Sequence, residues 1–296
     1  MWAKLGRVAL ALAFAGVACA QEAGRGFTFR TTVNGTANDL GVILRLDPTL
    51  GYRLNRYATV EAGLPFYFVK ASDAGGVLGP SEGAGLGNAH LGLNLNFEHP
   101  AITYRPSITV TAPTGSEDRG LSTGYVTWDW NNLFQRTFGR VTPYGSAGVS
   151  NTVSDSPFFV RPFTSKGLAA HFEGGALVSV TNVIGFGASA YAIEPSGDQT
   201  VVSRVLKKDE APTVTPDPVT SPTMPGQGQA KGRGRGKQGV FETVTETQGP
   251  ADILRDRGAS LWVSIAPNRN VDFHLGYSRS TTYALNTVFF GVSFGL

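Results

Sequence analysis

The chain has 296 residues, of which 16% are charged, and its formal net charge is +3 at pH 7. This near balance gives no reason to expect nucleic-acid binding, which needs a marked basic excess. Gly is abundant, with 38 residues, and helical periodicity is scarce, so the sequence predicts an all-β protein.

The first 20 residues have the pattern of a cleaved signal peptide. Lys4 and Arg7 form a short basic segment, Val8 to Val17 form an apolar run, and Ala18-Cys19-Ala20 fits the rule for cleavage after small residues. Cleavage there would start the mature chain at Gln21 and leave 276 residues with a formal charge of +1. We therefore expect export, with residues 21–296 as the mature domain.

Two alternatives to a cleaved signal peptide stay open. An uncleaved membrane anchor would need a longer apolar run than this one. Lipid attachment at Cys19 would be favoured by Leu three residues earlier, where the chain has Gly16. Cleavage after Ala20 would remove the one cysteine and so exclude disulfides, a thiolate metal site and a thiol nucleophile.

Twelve segments of the mature chain alternate apolar and polar residues, as strands with one apolar and one polar face do. About ten such residues are enough for a tilted strand to cross the hydrocarbon layer of a membrane. Outside the signal, no apolar run approaches the 18 residues of a transmembrane helix. The predicted strands are Phe27–Val33, Val42–Leu54, Thr59–Val69, Asn88–Phe97, Ile102–Thr111, Tyr125–Phe134, Val141–Ser150, Leu168–Val180, Ile184–Ile193, Gly258–Ile265, Val271–Ser278 and Asn286–Leu296.

Short and long connections alternate between these strands. Tight periplasmic turns and longer outer loops are typical of outer-membrane barrels, whereas the loops of a soluble β-sandwich need not alternate in length. The short connections are Asn55–Arg56, Glu98–Pro100, Gly139–Arg140, Thr181–Asn182 and Ala266–Asn270. The long ones are Gly35–Gly41, Lys70–Leu86, Pro113–Gly124, Asn151–Gly167, Glu194–Arg257 and Arg279–Leu285. The sequence predicts an antiparallel up-and-down transmembrane β-barrel of about 12 strands, with both termini on the periplasmic side.

Prolines are the feature that opposes continuous strands. Proline cannot donate a hydrogen bond to a ladder, and a closed barrel has no free edge. We therefore expect bulges or strand ends at Pro48, Pro65, Pro106 and Pro143.

The last strand carries a signal of its own. Its apolar side chains alternate through Val288, Phe290, Val292, Phe294 and Leu296. A bare apolar edge strand invites aggregation in a soluble protein, but in a closed barrel the last strand pairs with the first and its apolar face meets lipid. The segment also resembles the assembly signal of bacterial outer-membrane barrels, with Leu where Phe or Trp is usual. That resemblance implies recognition by the barrel assembly machinery.

Residues 206–250 differ in composition from the strands. They are rich in Pro and Gly and cannot bury enough apolar surface to order themselves, which predicts a mobile extracellular loop. Val201 to Val205 and Phe241 to Val244 could extend the flanking strands as a hairpin. A flexible linker and electrostatic contact with lipopolysaccharide phosphates are the two interpretations of the basic residues. These are Lys231, Arg233, Arg235 and Lys237.

If the apolar faces meet lipid, the polar faces line the lumen. The candidates are Arg30, Arg45, Asp47, Arg53, Glu61, His90, Arg105, Asp129, His171, Glu173, Asp272 and His274. Four Arg and five carboxylates give no dominant sign, so we expect no strong ion preference. These residues could fill the lumen as a salt-bridge network or line a narrow passage, since twelve strands lie between a filled barrel of eight and an open one of sixteen.

Aromatic residues are predicted on both faces. The inward ones could bind aromatic solutes or simply pack; they are Tyr67, Tyr144, Tyr191 and Trp262. Trp128 and Trp130 face outward, and we expect them just before the turn at Gly139–Arg140. With Tyr104 and Phe134 they would form part of an interfacial aromatic girdle.

Two Gly-rich motifs carry a family resemblance. Gly85-Leu86-Gly87-Asn88-Ala89-His90-Leu91-Gly92-Leu93 and Pro113-Thr114-Gly115, followed by Gly120 to Gly124, are similar to a strand entry and the next loop of outer-membrane transporters associated with phenol-degradation pathways. The resemblance covers about residues 40–190 and implies a transport barrel. Asn88 stands where that family usually has Asp.

Together these patterns predict a channel or uptake porin for small solutes in the outer membrane of a Gram-negative cell, with membrane lipid as its surroundings and no cofactor, metal or nucleic acid. The alternative is a structural or surface-binding barrel with a filled lumen. A lipid-modifying enzyme would need Ser and His close together, but His274 and Ser278 lie roughly 13 Å apart along one strand. His90, His171 and His274 lack the sequence spacing of metal ligands.

Overall fold

The computed structural model describes residues 25–39, 41–71, 82–116, 121–122, 124–153, 165–201, 247–249, 255–282 and 284–296. Twelve antiparallel strands form one sheet that closes on itself, because the first strand pairs with both the second and the last. Each other strand pairs with its neighbours in sequence. Within the described residues, no helix is long and apolar enough to cross a membrane. The predicted all-β barrel is confirmed.

The strands are as follows. They are β1 (Gly26–Asn38), β2 (Gly41–Arg53), β3 (Ala58–Gly63 and Phe66–Ala71), β4 (Glu82–Leu86, His90–Leu95 and Phe97–His99), β5 (Ile102–Thr111), β6 (Thr127–Gln135), β7 (Val141–Ser150), β8 (Ser165–Ser179), β9 (Ile184–Val201), β10 (Asp256–Asn268), β11 (Val271–Ser280) and β12 (Asn286–Gly295). A short segment, Thr247–Gly249, pairs with the end of β9. Both chain ends of the barrel lie at the end where the short turns lie.

The register fixes one apolar outer face and one polar inner face. Residues opposite each other in an antiparallel pair point to the same side of the sheet. Leu261 and Leu275 on the outer face are 63% and 59% exposed, which is the reverse of a soluble core. Phe289 is on the inner face and is fully buried. A surface of this kind is stable when hydrocarbon rather than water covers it.

β12 closes the barrel. It pairs over nine residues with β1, from Arg30 opposite Gly295 to Asn38 opposite Thr287. Phe29 and Leu296 complete the seam with two backbone hydrogen bonds of 3.2 and 2.8 Å. The chain's final apolar residue therefore lies on a paired strand rather than on an open edge.

The prolines interrupt ladders rather than create bulges. Pro48 lies where β2 changes partner from one segment of β3 to the other, and Pro65 lies in the gap between those segments. Pro106 lies where β5 changes partner between the last two segments of β4, and the β6–β7 ladder ends beside Pro143. The two register shifts occur elsewhere, at Lys166–Leu168 and Ile265–Asn268. A missing donor is thus placed where one side of the ladder is already open.

Several long connections are shorter than predicted. Gly35–Gly41 was expected to be a long link, but β1 runs to Asn38 and β2 begins at Gly41. β9 continues eight residues beyond the predicted Ile193, to Val201. Thr247–Gly249, inside the predicted mobile loop, is a paired strand. The other residues of 206–250, and the segment Phe241 to Val244, lie outside the described residues.

An aromatic ladder crosses the outer face at the short-turn end. Tyr57 stacks on Phe97, Phe97 on Tyr104 and Tyr104 on Phe134, with ring centroids 5.9, 6.0 and 4.8 Å apart. The predicted position of the two tryptophans is wrong. Trp128 and Trp130 lie opposite Val110 and Ile108, towards the long-loop end of β6 rather than next to the turn, because about 30 Å of extended chain separates Trp130 from Gly139.

Candidate functional site: the barrel interior

All twelve candidate lumen residues lie on the inner face of the sheet. The cross-strand pairs that place them include Arg30 with Gly295, Arg45 with Tyr67, and His171 with Gly148. Tyr67, Tyr144, Tyr191 and Trp262 share this face. Twelve strands about 4.8 Å apart and tilted by about 40° make a barrel roughly 24 Å across between backbones. The inner face thus surrounds a space wide enough for solvent, unless other parts of the chain enter it.

Polar side chains contact four of the five predicted inner carboxylates. Arg45 pairs with Asp47 on the same strand, and His171 Nε2 lies 3.1 Å from Asp129 Oδ2. The Tyr144 hydroxyl donates to Glu173 at 2.8 Å. Ser264 donates to Asp272 at 3.0 Å. Each of these contacts joins residues of one strand or of neighbouring strands.

The Tyr144–Glu173 pair gives a direct test of this packing. Replacing Tyr144 with Phe is expected to lower the free energy of unfolding by about 1 kcal/mol, because lumen water can partly replace the lost donor. Urea unfolding in lipid vesicles would measure it, and Glu173→Gln completes a double-mutant cycle. A coupling energy of zero would contradict a bond that contributes to stability.

Large inner side chains lie flat against glycines of the neighbouring strand. A Cβ on Gly63, Gly148 or Gly291 would lie 2.4, 2.3 or 2.1 Å from the ring of His90, His171 or His274, respectively. Trp262 covers Gly187 in the same way. The three histidines therefore lie on separate parts of the wall, and among the described residues no group of three metal-ligating side chains forms.

Sequence reasoning missed Asp256. Its side chain is 4% exposed and accepts hydrogen bonds from Ser280 at 2.5 Å and Tyr191 at 3.2 Å. The predicted strand began at Gly258, two residues later. Continuing the period-two pattern back by one step would have put Asp256 on the inner face.

The connection between β5 and β6 folds into the barrel. Leu121 is 1% exposed and packs with Ile43, Tyr67 and Val69, all three of which are on the inner face of β2 and β3. The apolar contact removes Leu121 from water and fixes this part of the loop against the wall. The described part of the loop therefore narrows the lumen near its long-loop end.

The two motifs that carry the family resemblance contact each other. The Thr114 hydroxyl accepts a hydrogen bond from Ala89 N–H at 2.7 Å and donates to Gly87 O at 3.2 Å. Asn88 Oδ1 accepts from Gly115 N–H at 3.2 Å. Gly115 lies so close to Gly87 and to the Leu121 carbonyl that a Cβ there would clash at 2.5–3.0 Å. The two motifs thus form one feature, in which the β5–β6 loop docks on the first break in β4, at Gly87–Ala89.

A second feature is a cavity of about 640 Å³ at the short-turn end of the inner face. Arg53, Arg56 and Arg105 line it together with amide side chains, including Asn94 and Asn96. Arg105 Nε donates to Asn96 Oδ1 at 2.9 Å, and the Arg56 guanidinium lies 4.5 Å from the centre of the Tyr57 ring. The basic loop residues Lys231, Arg233, Arg235 and Lys237 lie outside the described residues.

Comparison with known proteins supports the fold. No protein-family model matches the chain, and no curated protein matches it. A solved outer-membrane channel from Pseudomonas putida F1 is similar with a TM-score of 0.54 at 10% identity, over 94% of this chain and 97% of that one. The NanC porin gives a TM-score of 0.47 at 7% identity, over 90% and 98% of the two chains. The likeness to the Pseudomonas putida channel shows the fold of an outer-membrane β-barrel.

Proposed function

We propose that this protein is an outer-membrane channel that passes small solutes. The observation that supports it is the closed twelve-stranded barrel with a polar inner face, whose large side chains lie along the wall rather than across the space. Side chains fill a barrel of eight strands, whereas twelve leave room for a passage. The docked β5–β6 loop makes that passage narrow at one end.

Single-channel conductance of the refolded mature chain tests this proposal. We expect steady conductance in KCl from the protein that starts at Gln21. A second protein without residues 206–246 keeps the strand at Thr247–Gly249 and tests whether that loop closes the channel; conductance only after deletion would make it the gate. Silence from both proteins, with folding shown by heat-modifiable migration on a gel, would contradict transport.

A structural or surface-binding barrel with a filled lumen is the second candidate. The inner carboxylate pairs and the docked loop favour it, because both add material to the interior. The same conductance measurement separates the two, since a filled barrel folds but does not conduct. An enzymatic role would need a nucleophile beside a base, and Ser278 instead hydrogen bonds to Ser260 at 3.0 Å.

Kinship with the transporters associated with phenol-degradation pathways is part of the proposal. The contact between the two Gly-rich motifs supports it, because both are needed for one structural feature. Asn88 uses its amide oxygen as an acceptor there, which an Asp carboxylate could do equally. We further propose placement by the barrel assembly machinery through β12, after signal cleavage at Ala20, and contact of the basic loop with lipopolysaccharide.

A further inference from the structure

We propose that the cavity at the short-turn end is a binding site for small solutes that carry a carboxylate. The inference rests on the proposed channel function for how the solute arrives, and it adds a substrate class to it. The cavity volume of about 640 Å³ is in the range of small-molecule sites. The site is built by the ends of β2 and β4, the starts of β3 and β5, part of β6, and the turn after β2.

The lining of the cavity is positively charged. Three of the residues that line the cavity are Arg53, Arg56 and Arg105, and none of the described lining residues is Asp or Glu. The nearest opposing charge in the hydrogen-bond network is Glu98, whose Oε1 accepts from Asn96 Nδ2 at 2.9 Å. Asn96 thus stands between Glu98 and Arg105, and takes the place of a direct ion pair.

The Arg105 guanidinium at the cavity is held in place by a neighbouring side chain. Because Asn96 Oδ1 accepts from Arg105 Nε, the guanidinium is held in one orientation and its two η nitrogens stay available for a ligand. The Arg56 guanidinium, which also belongs to the lining, lies 4.5 Å from the centre of the Tyr57 ring. Oriented guanidinium groups bind planar carboxylates through paired hydrogen bonds, and little side-chain entropy is lost when the groups are already fixed.

Amide side chains form the uncharged polar part of the lining. Asn94, Asn96 and Asn131 line the same cavity. The Asn131 side-chain oxygen is buried and has no hydrogen-bond partner among the described residues. Since the two ends of an amide can exchange by rotation, Asn131 can offer either a donor or an acceptor to a bound solute. Such groups suit the polar remainder of a small organic acid.

The lumen as a whole and this cavity differ in charge. The twelve predicted inner residues include five carboxylates and four Arg, and this balance predicts no strong ion preference. Asp47 and Glu61 lie on β2 and β3, near the arginines in the sheet, but neither lines this cavity, whereas Arg53 and Arg105 do. The cavity, whose charged lining residues are all Arg, is therefore more basic than the lumen as a whole.

The test uses the full mature chain in planar bilayers at 0.1 M KCl. At this salt concentration the Debye length is about 10 Å, so charges within that distance still interact. Succinate is added as the probe, and its uncharged diamide, succinamide, is the control solute. We expect succinate to reduce the KCl conductance at concentrations at which succinamide has no effect. In the triple variant Arg53→Gln, Arg56→Gln and Arg105→Gln, the concentration needed should rise at least about tenfold, the loss expected for charge-assisted hydrogen bonds.

Arg269→Gln is a control that removes a single charge. Arg269 lies in the exposed turn between β10 and β11, at the same end of the barrel and outside the cavity, so it removes charge without touching the site. Equal succinate sensitivity in the triple variant and the parent protein overturns the inference but leaves the channel function standing. Reduction of conductance by inorganic phosphate and not by succinate also overturns it.

If the protein does not conduct KCl at all, the proposed channel function fails and the binding site is tested separately. Isothermal titration of succinate into the detergent-folded protein then decides, with the triple variant as reference. Heat without saturation, or equal saturation in both proteins, contradicts the site.

Discussion

Replacing Ile108 with Arg is expected to lower the free energy of unfolding by about 2–4 kcal/mol, the cost of an arginine on the lipid face near the middle of a membrane barrel. Ile108 lies near the centre of β5, is 43% exposed, and has Leu93 and Trp130 opposite it on the two neighbouring strands. All three side chains belong to the apolar outer face. Urea unfolding in lipid vesicles, followed by tryptophan fluorescence, would measure the change.

Thr109→Arg is the control for this substitution. Thr109 is the next residue of the same strand and points to the inner face, opposite Gly92 and Asp129. An arginine there meets water and a carboxylate, so the change in stability should be within about 0.5 kcal/mol, as for an ordinary solvated position. Equal losses from the two variants would contradict the assignment of the outer face to lipid.

The number and order of the strands, and which side chains point to lipid, could be predicted because the apolar residues of a membrane barrel strand recur with period two. From Asn88–Phe97 to Asn286–Leu296, most strands have apolar residues or Gly at every second position, since lipid covers one whole face; Asn132 is a polar exception. The same physics explains where the prediction failed. β9 continues past Ile193 with Glu194 on its outer face, where it pairs with Arg255 and Arg257 at 2.9 Å. Beyond the part of the barrel that lipid covers, the strands still pair, but their outer residues are no longer apolar, so the sequence pattern ends before the strand does.

The interior was predicted less completely, because long-range contacts have no period. The inner position of Glu173 follows from alternation, but its bond to Tyr144 joins residues 29 positions apart and depends on the register of β7 and β8. The cavity at the short-turn end brings Arg53 and Arg105 together from β2 and β5, with β3 and β4 between them in the chain. The types of residue in the lumen could be counted from the sequence, but which of them lie close together depends on the strand register.

Replacing Leu121 with Asp is expected to release the β5–β6 loop from the wall and raise the single-channel conductance. Leu121 is buried to 1% exposure against Ile43, Tyr67 and Val69, and losing a buried leucine side chain costs about 2–5 kcal/mol. A carboxylate in that apolar contact adds a desolvation cost, so the docked state should no longer dominate. Because the contact lies on the inner face, an undocked loop leaves a wider passage.

Three comparisons make the Leu121 experiment decisive. Leu121→Met keeps the volume and polarity of the side chain and should keep the parent conductance. Asn88→Ala removes the acceptor for Gly115 N–H and should loosen the loop by about 1 kcal/mol, so its effect should be smaller and in the same direction. Limited proteolysis of the folded barrel reports loop release independently of ion flow. A Leu121→Asp loop that becomes sensitive to protease while the conductance stays unchanged would show that the docked loop does not set the width of the channel.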